Sequence, residues 1–588
     1  MKHLYLTTLS LIASCVVFAQ SLPKGMTPEE EGMMEEYLST RSTESMQTVA
    51  PPFNSLRTAA EWEEVQSLVI TWTGDYNDIQ SQIVDAAQDE CEVIIICSNQ
   101  STVKSALQSR GVPLTNLSFV QTQFNSIWVR DYGANSVYAN DVDSLILVDW
   151  IYNRPRASDD VVPQAYAQFK DLSLYTTNSN PDKIMATGGN WMSDGFSTAF
   201  SSKLILDEND GTGDYGLSYP SHSENEINDI YKRWLGIDNY IKMTVLPYDD
   251  IHHIDMHMKL IDEERLLVGQ FPNGTSDGPQ LEANLQYILS NFKNQWGEPF
   301  KIVRIPMPPS TGGLYPPDGY YRTYANQTYV NKTILLPVYR EEFDSTALRI
   351  LQEANPGYRI VTIDVDNSNE NLISQSGAIH CITHTIGVAD PMWIAHQSLK
   401  DTWDQSNPYT VDALIKHRSG IKKATLYYST TPGTGYTAVP MTASGSDMWA
   451  ANIPAHPGGT TLYYYVQGEA NNGKKLTRPI TAPEGYWTFK VLGDPLGLTD
   501  PTTLVGMGDI YPNPASAITV IPLELPVSVD GTLIMYNMLG QKVHTIHEGH
   551  FPAHTRNYFI NAKDFEPGIY TVVFQTEKTK HSLYLVIE

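Results

Sequence analysis

The pattern of apolar and polar residues divides the chain into regions of different texture. From residue 51 to residue 397, short β-branched and aromatic runs alternate with stretches of helical periodicity. The clearest predicted elements are strands over residues 67–72, 92–97 and 145–150, and helices over residues 78–88 and 101–110. Strands that alternate with helices are typical of α/β folds. We therefore predict an α/β domain over residues 51–397.

Beyond residue 397 the pattern becomes all β. Residues 398–491 contain short apolar runs separated by Gly, Pro, Ser and Asn turns, which predicts an immunoglobulin-like sandwich. Its predicted strands cover residues 424–429, 449–453, 462–468 and 485–491. A glycine-rich linker is predicted over residues 492–508. A second, small all-β domain is predicted over residues 509–588, with strands at 531–536 and 568–574.

The first 50 residues differ from both textures. Residues 1–20 have a basic start at Lys2, an apolar run over 4–18 and a small residue at Ala19, the layout of a secretory signal peptide. A lipoprotein-type box over residues 12–15 is the alternative. Residues 21–50 lack apolar periodicity, which predicts a flexible lead or propeptide. No later stretch reaches the roughly 18 apolar residues of a membrane span, so we expect an exported chain without a transmembrane segment.

The charge balance excludes one class of partner. The chain has 39 Lys and Arg against 66 Asp and Glu, a net charge of −27. A protein that binds nucleic acid or an anionic membrane needs a concentrated basic surface, and the sequence has no basic run to build one. Cationic partners stay open.

The four cysteines have different expected roles. Cys15 lies within the predicted signal peptide. Cys91 and Cys97 flank a predicted buried strand at a separation of about 20 Å, too far for a disulfide, so we expect two buried thiols. Cys381 lies between two histidines. It is either a small core residue or, because histidine neighbours can activate a thiol, a reactive nucleophile.

Two other segments could carry chemistry. In a strand, His253, Asp255 and His257 would share one face and could form a metal site or an acid/base unit. The alternative is an imidazole and a carboxylate that pair on a half-buried strand. Asp131 lies in the segment WVRDYG, beside two aromatic residues and a glycine, where an isolated aspartate is ordinarily a turn residue.

Six motifs occur in an order and spacing that resemble one known family. They are residues 128–133 (WVRDYG), 152–156 (YNRPR), 188–195 (GGNWMSDG) and 253–255 (HID), Asn326, and the pair His380-Cys381. Together they resemble the bacterial Porphyromonas-type peptidylarginine deiminases, which are related to the agmatine deiminases. The resemblance covers residues 52–490. It implies an α/β propeller of pseudo-fivefold symmetry as the catalytic domain and hydrolysis of a guanidino group as the reaction.

The C-terminal region resembles a different family. Tyr511-Pro512-Asn513-Pro514, residues 538–543 (MLGQKV) and residues 567–570 (PGIY) are similar to the sorting domain of type IX secretion. This resemblance implies that the type IX secretion machinery is a partner. It also implies that the protein is secreted or attached to the cell surface after crossing the periplasm and outer membrane.

The proposed chemistry is consistent with these residue types. A guanidinium is planar and carries five N–H donors, so two carboxylates are needed to hold it, and Asp131 and Asp255 are the candidates. Cys381 is the candidate nucleophile, because a thiolate can attack the weakly electrophilic guanidinium carbon. His253 can protonate the leaving ammonia and then deprotonate water. The chemistry requires no cofactor or metal.

The family resemblance assigns further residues to the site. It implies that Asn326 is a polar residue near the nucleophile and that Trp128 lies along the guanidinium or its methylene stem. It also implies that Asp194 and Ile251 contribute to the substrate pocket.

Arg154 and Arg156 distinguish between substrates. Two arginines that point the same way from a strand could clamp a carboxylate, which a peptide ending in arginine has and agmatine lacks. In the family these positions are associated with the C-terminal carboxylate of the substrate. The alternative is a pair of surface ion pairs with Asp159 and Asp160.

We therefore predict a secreted, calcium-independent peptidylarginine deiminase that favours C-terminal arginine. One alternative is an agmatine or free-arginine deiminase that uses the same chemistry. A second alternative is a non-catalytic surface adhesin.

Overall fold

The computed structural model describes residues 22–40, 48–211, 219–493, 506–525, 527–577 and 579–588. The predicted signal peptide lies outside the described residues, as do parts of the predicted lead and linker. Residues 22–40 differ from the predicted flexible lead, because they form two short helices that lie on the α/β domain. No helix in the described part of the chain is long and apolar enough to cross a membrane.

Eleven α-helices occur in the described residues, all of them before residue 355. In chain order they are α1 Pro28–Glu31, α2 Met34–Thr40, α3 Asn77–Ala87, α4 Gln100–Ser109, α5 Val129–Tyr132, α6 Ala157–Asp160, α7 Val162–Lys170, α8 Leu204–Asp207, α9 Glu224–Leu235, α10 Gly278–Asn291 and α11 Glu341–Ala354. Local sequence sets their ends. In α9, Ser223 and Glu226 form a capping box at the start, and Gly236 ends the helix in the left-handed conformation.

Nineteen strands accompany these helices. They are β1 Leu56–Thr58, β2 Val65–Thr71, β3 Glu92–Cys97, β4 Leu117–Gln121, β5 Asn135–Ala139, β6 Ser144–Asp149, β7 Ile151–Tyr152, β8 Leu174–Thr176, β9 Met185–Ala186, β10 Met192–Ser193, β11 Thr198–Ser202, β12 Asn239–Met243, β13 Met258–Leu260, β14 Arg265–Gln270, β15 Lys301–Pro306, β16 Thr328–Val330, β17 Thr333–Val338, β18 Arg359–Asp364 and β19 His384–Gly387.

Apart from the short pair β7-β9, these strands form five sheets with one recurring plan. Their strand orders are β1-β5-β6-β8, β10-β11-β12, β13-β14-β15, β16-β17-β18 and β19-β2-β3-β4. Each sheet contains an antiparallel pair followed by a parallel pair, and a helix connects the two parallel strands. The predicted mixed α/β class is confirmed. In the last sheet β19 pairs with β2, so this sheet joins the two ends of the domain.

The parallel strands are buried on both faces, as their sequences indicate. In β3 the four residues from Val93 to Ile96 are all fully buried. Cys91 and Cys97 are free, buried thiols, as predicted. The helices cover the sheets through their apolar sides, so one hydrophobic core extends through all five sheets.

Nine strands form the next region, a sandwich of two sheets. They are β20 Met392–Ala395, β21 Tyr409–His417, β22 Ile421–Ser429, β23 Thr437–Pro440, β24 Thr442–Gly445, β25 Met448–Ile453, β26 Thr461–Ala470, β27 Lys475–Arg478 and β28 Trp487–Lys490. The sheets are β20-β21-β25-β24 and β23-β22-β26-β27, with β28 paired to β26. Alternate residues of β21 face a shared apolar core.

The C-terminal region is also all β. Its strands are β29 Gly506–Met507, β30 Ile518–Leu525, β31 Val529–Asn537, β32 Lys542–Phe551, β33 His554–Asn561, β34 Gly568–Thr576 and β35 Lys580–Ile587. They form the sheets β29-β30-β33 and β32-β31-β34-β35. This region packs on α11, where the Arg349 guanidinium lies 3.3 Å from the centre of the Tyr511 ring and Val520 packs on Ile350.

The end of α9 provides a test of the fold. Gly236 has φ +73°, and an added Cβ would lie 1.9 Å from the Leu56 carbonyl oxygen. Gly236→Ala is therefore expected to lower the free energy of unfolding by about 3 kcal/mol or more, since it combines left-handed strain with a backbone clash. Denaturant unfolding followed by tryptophan fluorescence measures the loss.

Gly297→Ala is the matched control, because Gly297 has φ +76° but open space around it. Strain alone should cost about 1 kcal/mol there. Equal losses in the two variants would contradict the packing argument.

Candidate active site

Cys381 lies in the 3₁₀ turn His380–Ile382, immediately before β19, and is fully buried. Three polar groups surround its Sγ atom. Lys24 Nζ is 2.8 Å away, Asn326 Nδ2 is 3.2 Å away and Asp255 Oδ2 is 3.6 Å away. Burial, reinforced by Asp255, raises the pKa of the Cys381 thiol to about 12, although Lys24 opposes this rise. In this arrangement the thiol is protonated near neutral pH.

Asp255 lies in a second 3₁₀ turn, Ile254–Met256, and not in the predicted strand. The prediction that residues 253, 255 and 257 share one face of a strand is therefore wrong. The turn instead directs Asp255 towards Cys381. Among the described residues, no three histidine, cysteine or carboxylate side chains lie close enough together to hold a metal ion.

A chain of three ionisable groups fixes Asp255. His380 Nδ1 lies 2.8 Å from Asp255 Oδ2, and His380 Nε2 lies 2.8 Å from Glu61 Oε1. Although burial alone would raise both carboxyl pKa values, neighbouring basic groups outweigh it. Lys24 and His380 lower the pKa of Asp255, whereas His380 and Lys259 lower the pKa of Glu61. Both carboxylates are therefore ionised.

His253 and Asp131 form a second acid/base pair. The two side chains are buried, with His253 Nδ1 3.6 Å from Asp131 Oδ1. Neither ring nitrogen of His253 has a hydrogen-bond partner within the described residues, so both are available for proton transfer. Burial, with further repulsion from Lys24, lowers the pKa of His253 well below its usual value. The preceding residue, His252, has the rare left-handed φ of +58° that directs the chain into this position.

The Gly188-Gly189-Asn190 motif passes directly beneath this pair. The backbone N–H of Gly189 donates to Asp131 Oδ1 at 3.2 Å. A Cβ at Gly189 would lie 2.4 Å from His253 Nδ1 and 2.8 Å from Asp131 Oδ1. The absence of a side chain therefore allows the imidazole and the carboxylate to meet.

Asn326 connects the sulfur of Cys381 to the backbone of its turn. Its Oδ1 accepts the backbone N–H of His380 at 3.0 Å, while its Nδ2 donates to Cys381 Sγ at 3.2 Å. The structure thus brings together all five predicted catalytic residues, which lie far apart in sequence: Cys381, His253, Asp131, Asp255 and Asn326.

Arg154 and Arg156 lie in the loop after β7, with only 7% and 1% of their surfaces exposed. The alternative of surface ion pairs is wrong, because Asp159 accepts the backbone N–H of Ser126 and Asp160 accepts that of Tyr152. Both arginines instead point towards the residues that cover Cys381.

Two predicted pocket residues have different outcomes. Ile251 lines a cavity of about 700 Å³ together with Met256, whose Sδ accepts from Asn326 Nδ2 at 3.6 Å, so this cavity adjoins the site. Asp194 forms its hydrogen bonds within a local turn. Its carboxylate accepts the N–H groups of Phe196 and Thr198 in the turn between β10 and β11, which differs from the predicted role.

The N-terminal segment covers the site, which sequence reasoning missed. Lys24 is fully buried, and its Nζ lies 3.9 Å from Asp255 Oδ1 in addition to its contact with Cys381. Trp128 Nε1 donates to the carbonyl of Leu22 at 2.8 Å. Lys24 stands in a polar stretch without periodicity, so no local signal marks it.

Glu61 was also missed, as was the role of His380 between two carboxylates. Glu61 belongs to an acidic stretch that resembles an ordinary surface turn. His380 was notable only as a neighbour of Cys381. The contacts that define both residues span more than 100 positions of sequence.

A buried cysteine beside a histidine and two carboxylates, carried on an α/β domain, suits the hydrolysis of a C–N bond in a guanidino group, and the family comparison identifies that class of deiminase. The model of the Porphyromonas-type peptidyl-arginine deiminases matches residues 57–386, and the chain belongs to this family. Residues 509–588 match the secretion system C-terminal sorting domain, which confirms the predicted sorting domain and indicates export or surface attachment.

The chain is also similar to individual known proteins. A relative named agmatine deiminase from Vibrio parahaemolyticus is 23% identical over 363 residues, which cover 56% of this chain and 95% of its own. A solved structure described as an agmatine deiminase aligns with a TM-score of 0.50 at 18% identity, over 58% of this chain and 99% of its own, and this likeness shows the fold alone. The agmatine deiminase of Enterococcus faecalis aligns over the same shares at 18% identity with a TM-score of 0.48.

Gly189→Ala tests the close approach of His253 and Asp131. The new methyl group must displace one of them, and a misplacement of about 1 Å can reduce turnover by about 100-fold. The assay uses the Lys24→Ala variant as its background, because Lys24 covers Cys381 in the intact chain. In that background, ammonia release from a guanidino substrate should fall by about 100-fold. Gly278→Ala is the control, because a Cβ there makes only an ordinary contact with Phe271. Full activity in Gly189→Ala would contradict the geometry.

The pKa of His253 is expected to rise in Lys24→Ala. Loss of the ammonium removes a like charge and admits water, and both changes favour the protonated imidazole. A pH titration of labelled histidine rings by NMR measures the shift. His257 is the internal control, because burial, opposed by Asp255, sets its pKa at about 4 without Lys24. An unchanged His253 titration would contradict the electrostatic account.

Proposed function

We propose that this protein is an exported peptidylarginine deiminase, which hydrolyses arginine side chains of peptides or proteins to citrulline and releases ammonia. One observation carries the proposal. The chain's own Lys24 presents a cation to Cys381 and Asp255 while Arg154 Nε donates to the Lys24 backbone carbonyl at 3.2 Å. This arrangement supports a site that binds a cationic side chain together with the peptide backbone that carries it.

The first half-reaction forms a covalent intermediate. Asp131 and Asp255 hold the substrate guanidinium, whose positive charge lowers the pKa of the Cys381 thiol. The thiol proton passes to His253, and the sulfur attacks the guanidinium carbon. His253 then returns the proton to the departing nitrogen as the C–N bond breaks, which leaves ammonia and a thiouronium on Cys381.

The second half-reaction consumes water. His253, now neutral, takes a proton from water as the oxygen bonds to the thiouronium carbon. Cleavage of the C–S bond releases citrulline, and the sulfur leaves as a thiolate that recovers the proton held by His253. The remaining proton of the attacking water passes to the ammonia, which becomes ammonium. The balance is one guanidinium and one water converted into one urea group and one ammonium. Asn326, which donates to Cys381 Sγ, is the group that orients the sulfur during both steps.

The buried arginines favour a peptide over agmatine. Agmatine has no backbone carbonyl or carboxylate, so it would not replace the backbone carbonyls of residues 23–25 that now accept from Arg154 and Arg156, at a desolvation cost. A C-terminal arginine has a carboxylate at the position of the Lys24 carbonyl. Charge-assisted bonds to Arg154 support a preference for that terminus.

We also propose that the five sheets of the catalytic domain are arranged around a pseudo-fivefold axis, as in the propeller that the resemblance implies. The recurring strand plan and the pairing of β19 with β2 support this arrangement. The two-sheet region that follows is proposed to be immunoglobulin-like. The sorting domain is proposed to be recognised by the type IX secretion machinery.

A substrate panel tests the function. The Lys24→Ala variant is incubated with a peptide ending in arginine, the same peptide as its C-terminal amide, a peptide with internal arginine, and agmatine. Citrulline formation should be fastest with the free carboxylate. The advantage in kcat/KM over the amide should be about 10- to 100-fold and lie mainly in KM, because one charge-assisted interaction is lost.

Two variants control this panel. Arg154→Gln should abolish the advantage of the carboxylate over the amide while agmatine turnover is maintained. Cys381→Ser should lose turnover of every substrate, because an alcohol is too weak a nucleophile. Turnover of agmatine alone would show that the substrate assignment is wrong. A folded protein that turns over none of these substrates would favour the alternative function, a non-catalytic surface adhesin.

A further inference from the structure

The N-terminal segment binds the site in the manner of a peptide substrate. Each carbonyl from Leu22 to Gly25 accepts a hydrogen bond from a residue predicted to bind substrate. Trp128 donates to Leu22, Arg156 Nη2 to Pro23 at 2.7 Å and to Gly25 at 3.0 Å, and Arg154 to Lys24. The N–H of Lys24 donates to the carbonyl of Gln375 at 3.3 Å. The backbone is therefore held on both sides of Lys24.

The Lys24 side chain occupies the position of the reacting group. The Nζ atom of lysine and the Cζ atom of arginine are separated from Cα by the same number of bonds. Nζ lies 2.8 Å from Cys381 Sγ, where the guanidinium carbon would be attacked. Asp131 and Asp255 outweigh the effect of burial and raise the pKa of the Lys24 ammonium, which is therefore charged like a guanidinium.

Lysine can fill this position but cannot react there. Its ammonium supplies the positive charge that the two carboxylates require. It has no carbon bonded to three nitrogens, so the sulfur has no electrophile to attack and no nitrogen can leave. A lysine at this position is consequently an inert analogue of an arginine substrate.

Two further contacts, away from Cys381, hold the N-terminal segment on the domain. Glu30, placed by the capping box of α1, accepts Arg156 Nε at 2.7 Å and Nη2 at 3.0 Å. The buried side chains of Met34 and Leu38 in α2 pack with Ile151. Because these anchors belong to the same chain, the local concentration of Lys24 at the site is far above that of a free peptide.

We infer that residues 22–40 form an intramolecular pseudosubstrate, which occupies the peptide-binding cleft with Lys24 in the place of arginine and blocks it. This inference rests on the proposed function. It also assigns the backbone positions of a substrate. The carbonyls of the two residues before the reacting residue are bound by Trp128 and Arg156, and that of the reacting residue by Arg154. In a substrate with internal arginine, Arg156 also binds the carbonyl of the next residue.

The full-length chain and its Lys24→Ala variant test the blockade through two readouts. Lys24→Ala should raise turnover of the arginine-terminated peptide by about tenfold or more, since an intramolecular competitor is lost. Alkylation of Cys381 by iodoacetamide, mapped by mass spectrometry, should accelerate in parallel. Buried Cys91, whose pKa burial raises to about 12, is the internal control and should not change.

Two neighbouring glutamates, Glu30 and Glu29, test whether the contact with Arg156 matters or only the negative charge of the helix. Glu30→Gln removes the carboxylate on Arg156 and should also raise turnover. Glu29→Gln changes an exposed neighbour in the same helix and should leave turnover unchanged. Equal behaviour of the two variants would overturn the role of Glu30 as an anchor.

Lys24→Arg is the sharpest variant, because it converts the inert analogue into a substrate. Residue 24 should become citrulline within the same molecule, at a rate that does not depend on protein concentration. Mass spectrometry detects the replacement of NH by O, and Lys24→Arg combined with Cys381→Ser should retain arginine.

The outcomes distinguish the two proposals. Equal peptide turnover and equal Cys381 alkylation in the full-length chain and Lys24→Ala would overturn the pseudosubstrate while the deiminase stands. Faster alkylation without turnover of any substrate, and without citrulline in Lys24→Arg, would overturn the deiminase and with it the pseudosubstrate. Faster turnover together with citrulline at residue 24 supports both.

Discussion

The organisation of this protein depends on negative charge held away from water. Asp131 and Asp255 are both at least 98% buried, and Asp255 is ionised. Buried charge is stable only when it is paired, so the pocket must contain a cation. In the structure that cation is the ammonium of Lys24. In the proposed reaction it is the guanidinium of the substrate arginine. The same requirement explains why a segment of the chain itself can occupy the site.

Two 3₁₀ turns and one close backbone contact hold the side chains around these carboxylates in place. Cys381 and Asp255 lie in separate 3₁₀ turns, and Asn326 connects one of them to the sulfur. Gly189 admits His253 to its carboxylate because it has no side chain. Each arrangement precedes a strand of one of the sheets, so the rigid sheets fix the distances that the chemistry needs.

Sequence reasoning predicted which residues meet around Cys381 more accurately than it predicted the secondary structure around them. The residue types of Cys381, His253 and Asp255 suit guanidino chemistry, and their order matches a known family. The strand assigned to residues 253–257 was wrong, because alternation over so few residues does not separate a strand from a 3₁₀ turn. The pocket role of Asp194 was implied by the family resemblance alone, whereas in the structure its carboxylate accepts the N–H groups of a local turn.

The sequence by itself determined the α/β and all-β regions, the candidate nucleophile and the sorting domain, because periodicity and motif order are local properties. The tertiary structure decided everything that depends on distant pairs. It placed Glu61 on His380 and brought Lys24 to Cys381 across 357 positions of sequence. Nothing near Lys24 in the sequence marks it, because its role is defined only by the charges it meets after folding.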